Sequence, residues 1–252
     1  MSAILEVNNL TKTYDNGVHA VKGISFAVNK GEVFGILGPN GAGKTTTLEM
    51  IEGLRPITSG SVILDGIDAV KQPALVKQRI GIQLQASAFF QNLKLTELIE
   101  MFADLYGSKV DSLQLLDEVG LKDKAAFLVK NLSGGQKQRF SIATTLVNKP
   151  VMVFLDEPTT GLDPQARRNL WELVAQIKKR GTTVILTTHY MEEAQVLCDR
   201  LAIMDDGKIV ALDTPQQLIR QLLERGFKPH TEVPPATLED VFIDLTGKTL
   251  RD

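Results

Sequence analysis

Cysteine is almost missing from this chain. Cys198 is the only one in 252 residues, so no intrachain disulfide can form, and the usage fits a reducing compartment. Residues 191–200 put Ala194, Leu197 and Cys198 on one helical stripe, where a lone thiol is expected to be a small buried core group. Long apolar runs are missing too: none approaches the ~18–20 residues that cross a bilayer. The first residues, Met1 to Glu6, lack the basic and apolar regions of a signal peptide. A membrane role would therefore have to come through a partner. Neither sign of charge prevails, since 28 Lys and Arg stand against 30 Asp and Glu, for a formal net charge of −2. That gives no support to a nucleic-acid binder relying on a strongly basic face, and no nucleic-acid partner is expected.

What is present reads as an ordinary globular protein. Apolar residues make up 43% of the chain and charged residues 23%, which allows a buried core and argues against disorder. The length suits one large α/β domain or a core with a smaller insert. Residues 4–7 and 18–28 alternate apolar stretches with the turn residues Asp15, Asn16 and Gly17, the pattern of antiparallel strands. Residues 33–37 are a near-continuous apolar run entering a glycine-rich loop and then a helix, as a buried parallel strand does at a βα turn. Residues 151–155, 183–187 and 201–204 look alike. Between them Leu170, Leu173, Val174 and Ile177 mark the inner face of a helix at i, i+3, i+4 and i+7. Strands alternating with helices predict a parallel sheet with right-handed crossovers.

Residues 86–148 break that alternation. Their helix-like stretches, 96–106, 113–119 and 136–147, with no clear strand between them, predict a helical subdomain inserted into the sheet domain. Pro229, Pro234 and Pro235 make 226–236 an expected linker, and Thr237 to Asp240 carry the capping-box pattern of a short terminal helix. The expected layout is thus a domain over 1–225, with its helical insert, followed by a linker and helix over 226–252.

Gly38, Pro39, Asn40, Gly41, Ala42, Gly43, Lys44 and Thr45 spell G-x-x-x-x-G-K-[ST] after a predicted strand and before a predicted helix, the context in which this motif binds nucleotide phosphates. The glycines let the backbone turn successive N–H groups toward one concave site, and the helix N-terminus adds partial positive charge. Lys44 would reach the β- and γ-phosphates of ATP, and the Thr45 hydroxyl would ligate Mg²⁺, with Thr46 beside them in the same site. A P-loop alone does not choose among kinases, GTPases and motor ATPases. Residues 151–155 narrow the choice, because this apolar strand delivers Asp156 to the metal shell, directly or through water. Glu157, directly beside it, is placed to polarise an attacking water.

Leu132, Ser133, Gly134, Gly135 and Gln136 form a second anion-friendly feature. Ser133 suits an N-cap, Gln136 sits at N3, and two glycines leave the helix N-terminus open to a ligand. In isolation the same five residues are an ordinary capped helix start. Standing between the P-loop and the strand of Asp156 and Glu157, they resemble the LSGGQ signature of ATP-binding-cassette (ABC) nucleotide-binding domains. The resemblance covers nearly the whole chain. It implies an α/β fold: a P-loop NTPase with a mostly parallel sheet, an N-terminal antiparallel β subdomain and an inserted helical subdomain. It also implies hydrolysis of ATP with Mg²⁺. By the same resemblance Tyr14 stacks on adenine, and Gln85 senses the metal and γ-phosphate and contacts the membrane subunit. Gln83 has the same strand parity, so physics alone does not separate it from Gln85. Asp163 belongs to the D-loop, and also suits an N-cap before Pro164 at N1. His189 resembles the switch histidine that contacts the γ-phosphate. No second His or Cys stands at ligand spacing, so a zinc reading fails.

Members of this family close two such domains around two ATP molecules, with the signature of one facing the P-loop of the other. This chain carries one of each, which implies half of a dimer, with a second copy or a similar domain. One chain alone is expected to hydrolyse poorly. The leading expectation is the ATPase subunit of an ABC transporter whose transmembrane permease is a separate chain, holding it peripherally at the cytoplasmic face of the membrane. Residues 237–247 resemble the ABC-2-type export branch. The rival expectation is a soluble single-cassette ABC ATPase acting in a non-transport assembly. A P-loop kinase or GTPase would lack the 132–136 pattern and would need a substrate or guanine-selective motif that is not found.

Overall fold

A computed structural model gives the fold and describes residues 2–83, 89–227 and 238–247. Strands β1 (Ala3–Thr13) and β2 (His19–Asn29) pair antiparallel on either side of the turn at Asp15, Asn16 and Gly17. Strand β3 (Val33–Leu37) runs through the glycine-rich loop into α1 (Lys44–Ile51). Strands β4 (Ser59–Leu64) and β5 (Ile67–Asp68) complete a first sheet in the order β2-β1-β4-β5. Next come α2 (Pro73–Arg79), β6 (Ile80–Gln83) and three helices, α3 (Leu95–Leu105), α4 (Ser112–Glu118) and α5 (Gly134–Thr145). The chain then alternates through β7 (Met152–Asp156), α6 (Pro164–Lys179), β8 (Thr183–Thr188), α7 (Met191–Leu197) and β9 (Arg200–Asp205). It closes with β10 (Lys208–Asp213), α8 (Pro215–Glu224) and α9 (Leu238–Thr246).

The second sheet has the order β10-β9-β3-β8-β7-β6. All its neighbours pair parallel except the edge strand β10, which returns antiparallel on β9. Successive strand side chains point to opposite faces, and here both faces are covered. Along β7, Met152 and Phe154 enter a core shared with α1 and the first sheet, while Val153 and Leu155 enter a core shared with the helices on the other face. That double burial is why these strands read as unbroken apolar runs. The α6 face is formed by Leu170, Leu173, Val174 and Ile177, all buried. In register, Leu37 lies beside Thr188 and Asp156 beside Thr187. The loops leaving β3, β7 and β8 therefore emerge side by side at the carboxyl edge of the sheet, where α/β sheets place their ligands.

Several boundaries differ from the sequence expectation, each for a local reason. Strand β1 continues past residue 7 to Thr13, because its polar second half pairs with both β2 and β4 on a partly exposed sheet. The helix expected over 191–200 stops at Leu197, and Cys198 adopts extended geometry at φ −83°, ψ 131°. Asp199 forces the turn: its carboxylate accepts the Val33 N–H at 2.8 Å and its own N–H donates to the Val33 carbonyl at 2.9 Å. Cys198 is nonetheless buried, as expected, and its thiol stands where a side chain at Gly35 would begin. Helix α5 begins at Gly134, two residues before the expected start. Between residues 89 and 148 the described chain holds helices and an isolated bridge from Lys94 to Leu128, with no strand. The expected cap at Thr237 and most of the expected 226–236 linker lie outside the described residues.

Candidate nucleotide site

The loop after β3 is built by close packing. A Cβ at Gly38 would meet the Met204 carbonyl oxygen at 2.2 Å, and one at Gly43, where φ is +98°, would meet the Ala20 carbonyl oxygen at 2.5 Å. Both positions therefore require glycine. Helix α1 starts directly behind them, so its first N–H groups and its positive dipole end face the loop. Asn40, Gly41 and Thr45 are exposed, while Lys44 is buried to 5% exposure. The Lys44 ammonium donates to the carbonyls of Gly38 at 3.0 Å and Pro39 at 3.1 Å, and pairs with Glu157 Oε1 at 3.4 Å. Burial pulls its pKa below the ordinary lysine value, while the neighbouring Glu157 and Asp156 charges oppose that shift.

Asp156 ends β7 and Glu157 follows it. The Thr45 hydroxyl donates to the Asp156 carboxylate at 3.1 and 3.3 Å, and the Thr187 hydroxyl donates to the same group. Glu157 is held at φ +48°, a left-handed conformation costing about 1–3 kcal/mol in a residue with a side chain. Its N–H donates to both the hydroxyl (3.0 Å) and the carbonyl (3.2 Å) of Thr187, which fixes this unusual turn. The turn aims the Glu157 side chain between Lys44 and His189, with Oε1 toward Lys44 and Oε2 at 3.4 Å from His189 Nδ1. His189 follows β8 directly, and its ring packs on Tyr190 at 4.2 Å between centroids. The structure thus brings Lys44, Thr45, Asp156, Glu157 and His189 to one point. Chemically this pocket offers a backbone anion cradle, a cation, a hard-oxygen pair and a carboxylate within reach of a histidine.

Tyr14 stands at the edge of this cluster. Its hydroxyl lies 3.2 Å from Thr46 Oγ1, and Arg55 and Lys12 sit 5.3 and 5.4 Å from its ring centroid. The signature residues are elsewhere. Ser133 caps α5 by accepting the Gln136 N–H, and the Gln136 side chain returns the bond to the Ser133 N–H at 3.0 Å. Ser133 and Gly134 are exposed, and Gly135 packs so closely on Ala166 that a Cβ there would lie at 2.9 Å. Among the described residues no hydrogen bond or ion pair joins 132–136 to the Lys44 loop. Asp163 is exposed and caps α6 through the Ala166 N–H at 2.9 Å, ahead of Pro164 at the first helical position. Gln85 lies outside the described residues, whereas Gln83 is the buried last residue of β6, in register with Leu155.

Comparison with known proteins places this geometry. A family model described as ABC transporter matches residues 21–160. The chain belongs to the ABC transporter family. It is an ABC ATPase, a P-loop cassette that binds and hydrolyses ATP. Over 224 residues it is 42% identical to the linearmycin resistance ATP-binding protein LnrL of Bacillus subtilis (strain 168), covering 87% of this chain and 72% of that protein. It is 35% identical to the Nod factor export ATP-binding protein I of Burkholderia orbicola (strain AU 1054), over 99% of each chain. Its fold is similar to that of an ATP-binding subunit of an ABC transporter, with a TM-score of 0.82 at 28% identity over 96% of this chain and 99% of the other. It is also similar to a dimeric cassette in a post-hydrolysis state bound to ADP and Pi, with a TM-score of 0.75 at 28% identity over 83% and 98%.

Two residues of the cassette's site escape a reading of the sequence. Thr187 supports both acidic residues, yet a threonine in a β-strand is too common to stand out. Glu52, at the end of α1, is buried to 2% exposure, although the sequence offers only an acidic residue near a helix terminus. Burial first, and then the Asp156 and Glu49 charges, push its carboxyl from 4.5 up to about 8. Between those values the folded protein holds a proton that the unfolded chain releases, so stability falls as pH rises through the window. Without nucleotide or metal, Glu52→Gln should therefore melt several degrees above the wild type near pH 8 and close to it near pH 5. Thermal melts at both pH values check this, and an equal gap at the two would contradict the assignment.

Proposed function

We propose that this ABC ATPase powers export through a separate transmembrane permease, and that it works by closing on a second ATPase domain around ATP. The end-to-end match to a protein named for Nod factor export carries the export reading. The likeness to a dimeric cassette supports the paired arrangement. The exposure of Ser133 and Gly134 and of Asn40, Gly41 and Thr45 supports it too, because each set is open to a second domain. Among the described residues no helix is long and apolar enough to cross a membrane. The reading gives that task to the permease, which would hold the ATPase peripherally at the cytoplasmic face. Residues 1–225, including the helical insert, would form the working unit, with 226–252 appended.

Mg²⁺ fits the donors present. The Thr45 hydroxyl and Asp156 carboxylate, 3.1 Å apart, are hard oxygens of the kind Mg²⁺ takes beside phosphates and waters. Thr45 directly and Asp156 through water would hold it, with Gln85 as the third expected contact. Bound there it would neutralise charge on the β- and γ-phosphates. The protein groups then divide the work. Lys44 exchanges Glu157 for phosphate oxygen, which releases Glu157 Oε1 to accept a proton from the attacking water. His189 approaches the γ-phosphate from the end of β8 and keeps Glu157 aligned. Tyr14 stacks on the adenine. Ser133 and the glycines of the second domain complete the cradle from across the dimer, with Asp163 at the seam.

Glu157→Gln should keep ATP binding, lower hydrolysis by about 10²–10⁴-fold, and accumulate an ATP-dependent dimer in size-exclusion chromatography. Hydrolysis at the wild-type rate would contradict the base assignment. The permease reading has its own check, since affinity capture of the chain from detergent-solubilised membranes should bring down a multi-spanning protein. Recovery of soluble proteins alone would contradict it.

A further inference from the structure

Glu193 is a carboxylic acid with 0% exposure in the first turn of α7, and nothing in the mechanism above uses it. Lone carboxylates are rarely buried this completely without a specific set of partners. Its surroundings come from three separate parts of the chain. The indole N–H of Trp171, on α6, donates to Glu193 Oε1 at 3.2 Å. The hydroxyls of Thr188, at the end of β8, and Thr159, in the segment after Glu157, and the charge of Arg167 on α6 lie near enough to pull on the carboxyl, while Glu193 Oε2 and Thr159 Oγ1 are buried with no hydrogen-bond partner among the described residues. Burial pushes the Glu193 pKa up, against the pull of these four groups.

Each neighbour leads to the catalytic cluster. Thr188 precedes His189, accepts the Tyr190 N–H on its hydroxyl at 2.9 Å, and accepts the Gly38 N–H on its carbonyl at 3.4 Å. Arg167 lies 4.5 Å from the centroid of the Tyr190 ring, which packs on His189. Thr159 accepts the Leu162 N–H on its carbonyl, in the segment that links Glu157 to Asp163. One buried carboxyl is therefore bonded to α6, the helix that Asp163 caps, from the first turn of the helix that follows His189.

We propose that Glu193 is a positioning residue for hydrolysis, whose buried carboxyl, bonded to Trp171, fixes the His189 turn against α6. The proposal rests on the reading that Glu157 and His189 act on the bound nucleotide. It assigns Glu193 no contact with ATP; its effect passes through His189. A small displacement of a reacting group costs rate more than affinity. An apolar residue of similar volume would fill the space and leave the alignment unset.

The test uses the full chain with Glu193→Met and Glu193→Gln, each alone and combined with His189→Ala, and reads steady-state ATP hydrolysis alongside thermal melting. Glu193→Met should lower kcat by about tenfold or more while leaving the KM for ATP within about twofold. Glu193→Gln, whose amide oxygen still accepts the indole N–H, should recover most of the loss. In the His189→Ala background Glu193→Met should add little, because residues acting as one unit are not additive. Wild-type kcat in a folded Glu193→Met protein would overturn the proposal, as would an equal loss with and without His189. Should Glu193→Met fail to fold, Trp171→Phe, which removes the indole donor, decides: lowered kcat at unchanged KM supports the proposal, and wild-type kcat overturns it. Failure of the underlying reading looks different, since His189→Ala and Glu157→Gln would then themselves hydrolyse normally.

Discussion

The ion pair between Lys44 and Glu157 joins two loops that leave different strands, and the surrounding fold is arranged to bring these side chains within 3.4 Å. β3 and β7 are not neighbours; β8 lies between them, in register with both. The parallel register sets the carboxyl ends of all three strands at one level. β8 then supplies Thr187, which anchors Asp156 and Glu157, while the residue after its end, His189, reaches Glu157 from the other side. A sheet buried on both faces gives this arrangement its rigidity.

Such a pair is held at some energetic cost. Both side chains are nearly buried, at 5% and 10% exposure, and Glu157 is strained at positive φ. Breaking a buried pair by deleting one member leaves an uncompensated charge and costs about 3–5 kcal/mol. On the proposed reading, a phosphate arriving at the loop would offer Lys44 a replacement partner of the same sign as Glu157, so binding would exchange one ion pair for another. The carboxylate would then be released toward His189 and toward water. On that reading the resting pair would couple occupancy of the cradle to availability of the proposed base.

Much of this was legible in the sequence, for reasons that particular residues make clear. The buried strands around Phe34, Phe154 and Ile185 announced themselves because both of their faces are covered, which leaves no polar alternation. Ser133 and Asp163 were legible as caps because capping is a local hydrogen bond, set by residues three apart. The strands β4, β5 and β10 were not, being short, partly exposed and rich in Ser, Gly and charged residues. Cys198 was placed in the core but in the wrong conformation, because the Asp199 contact that turns the chain spans 166 positions in sequence. Thr187 and Glu193 were invisible for the same reason. Their importance comes from side chains that the fold, and not the local pattern, brings to them. Gln83 and Gln85 have the same parity in the sequence, so its pattern could not separate them.

The central claim is that the chain carries half of each catalytic site and borrows Ser133 from a partner. Its one thiol leaves a clean background, since Cys198 is buried and burial raises its pKa well above the ordinary cysteine value, holding it as an unreactive thiol. The direct measurement mixes a chain carrying Asn40→Cys with a chain carrying Ser133→Cys, both in the Glu157→Gln background, and follows disulfide-linked dimer under mild oxidation. Because a disulfide requires Cα atoms within about 7 Å, the account predicts a mixed cross-linked dimer that forms with ATP and not without it. Absence of that dimer with ATP, or an equal yield without nucleotide, would contradict the account.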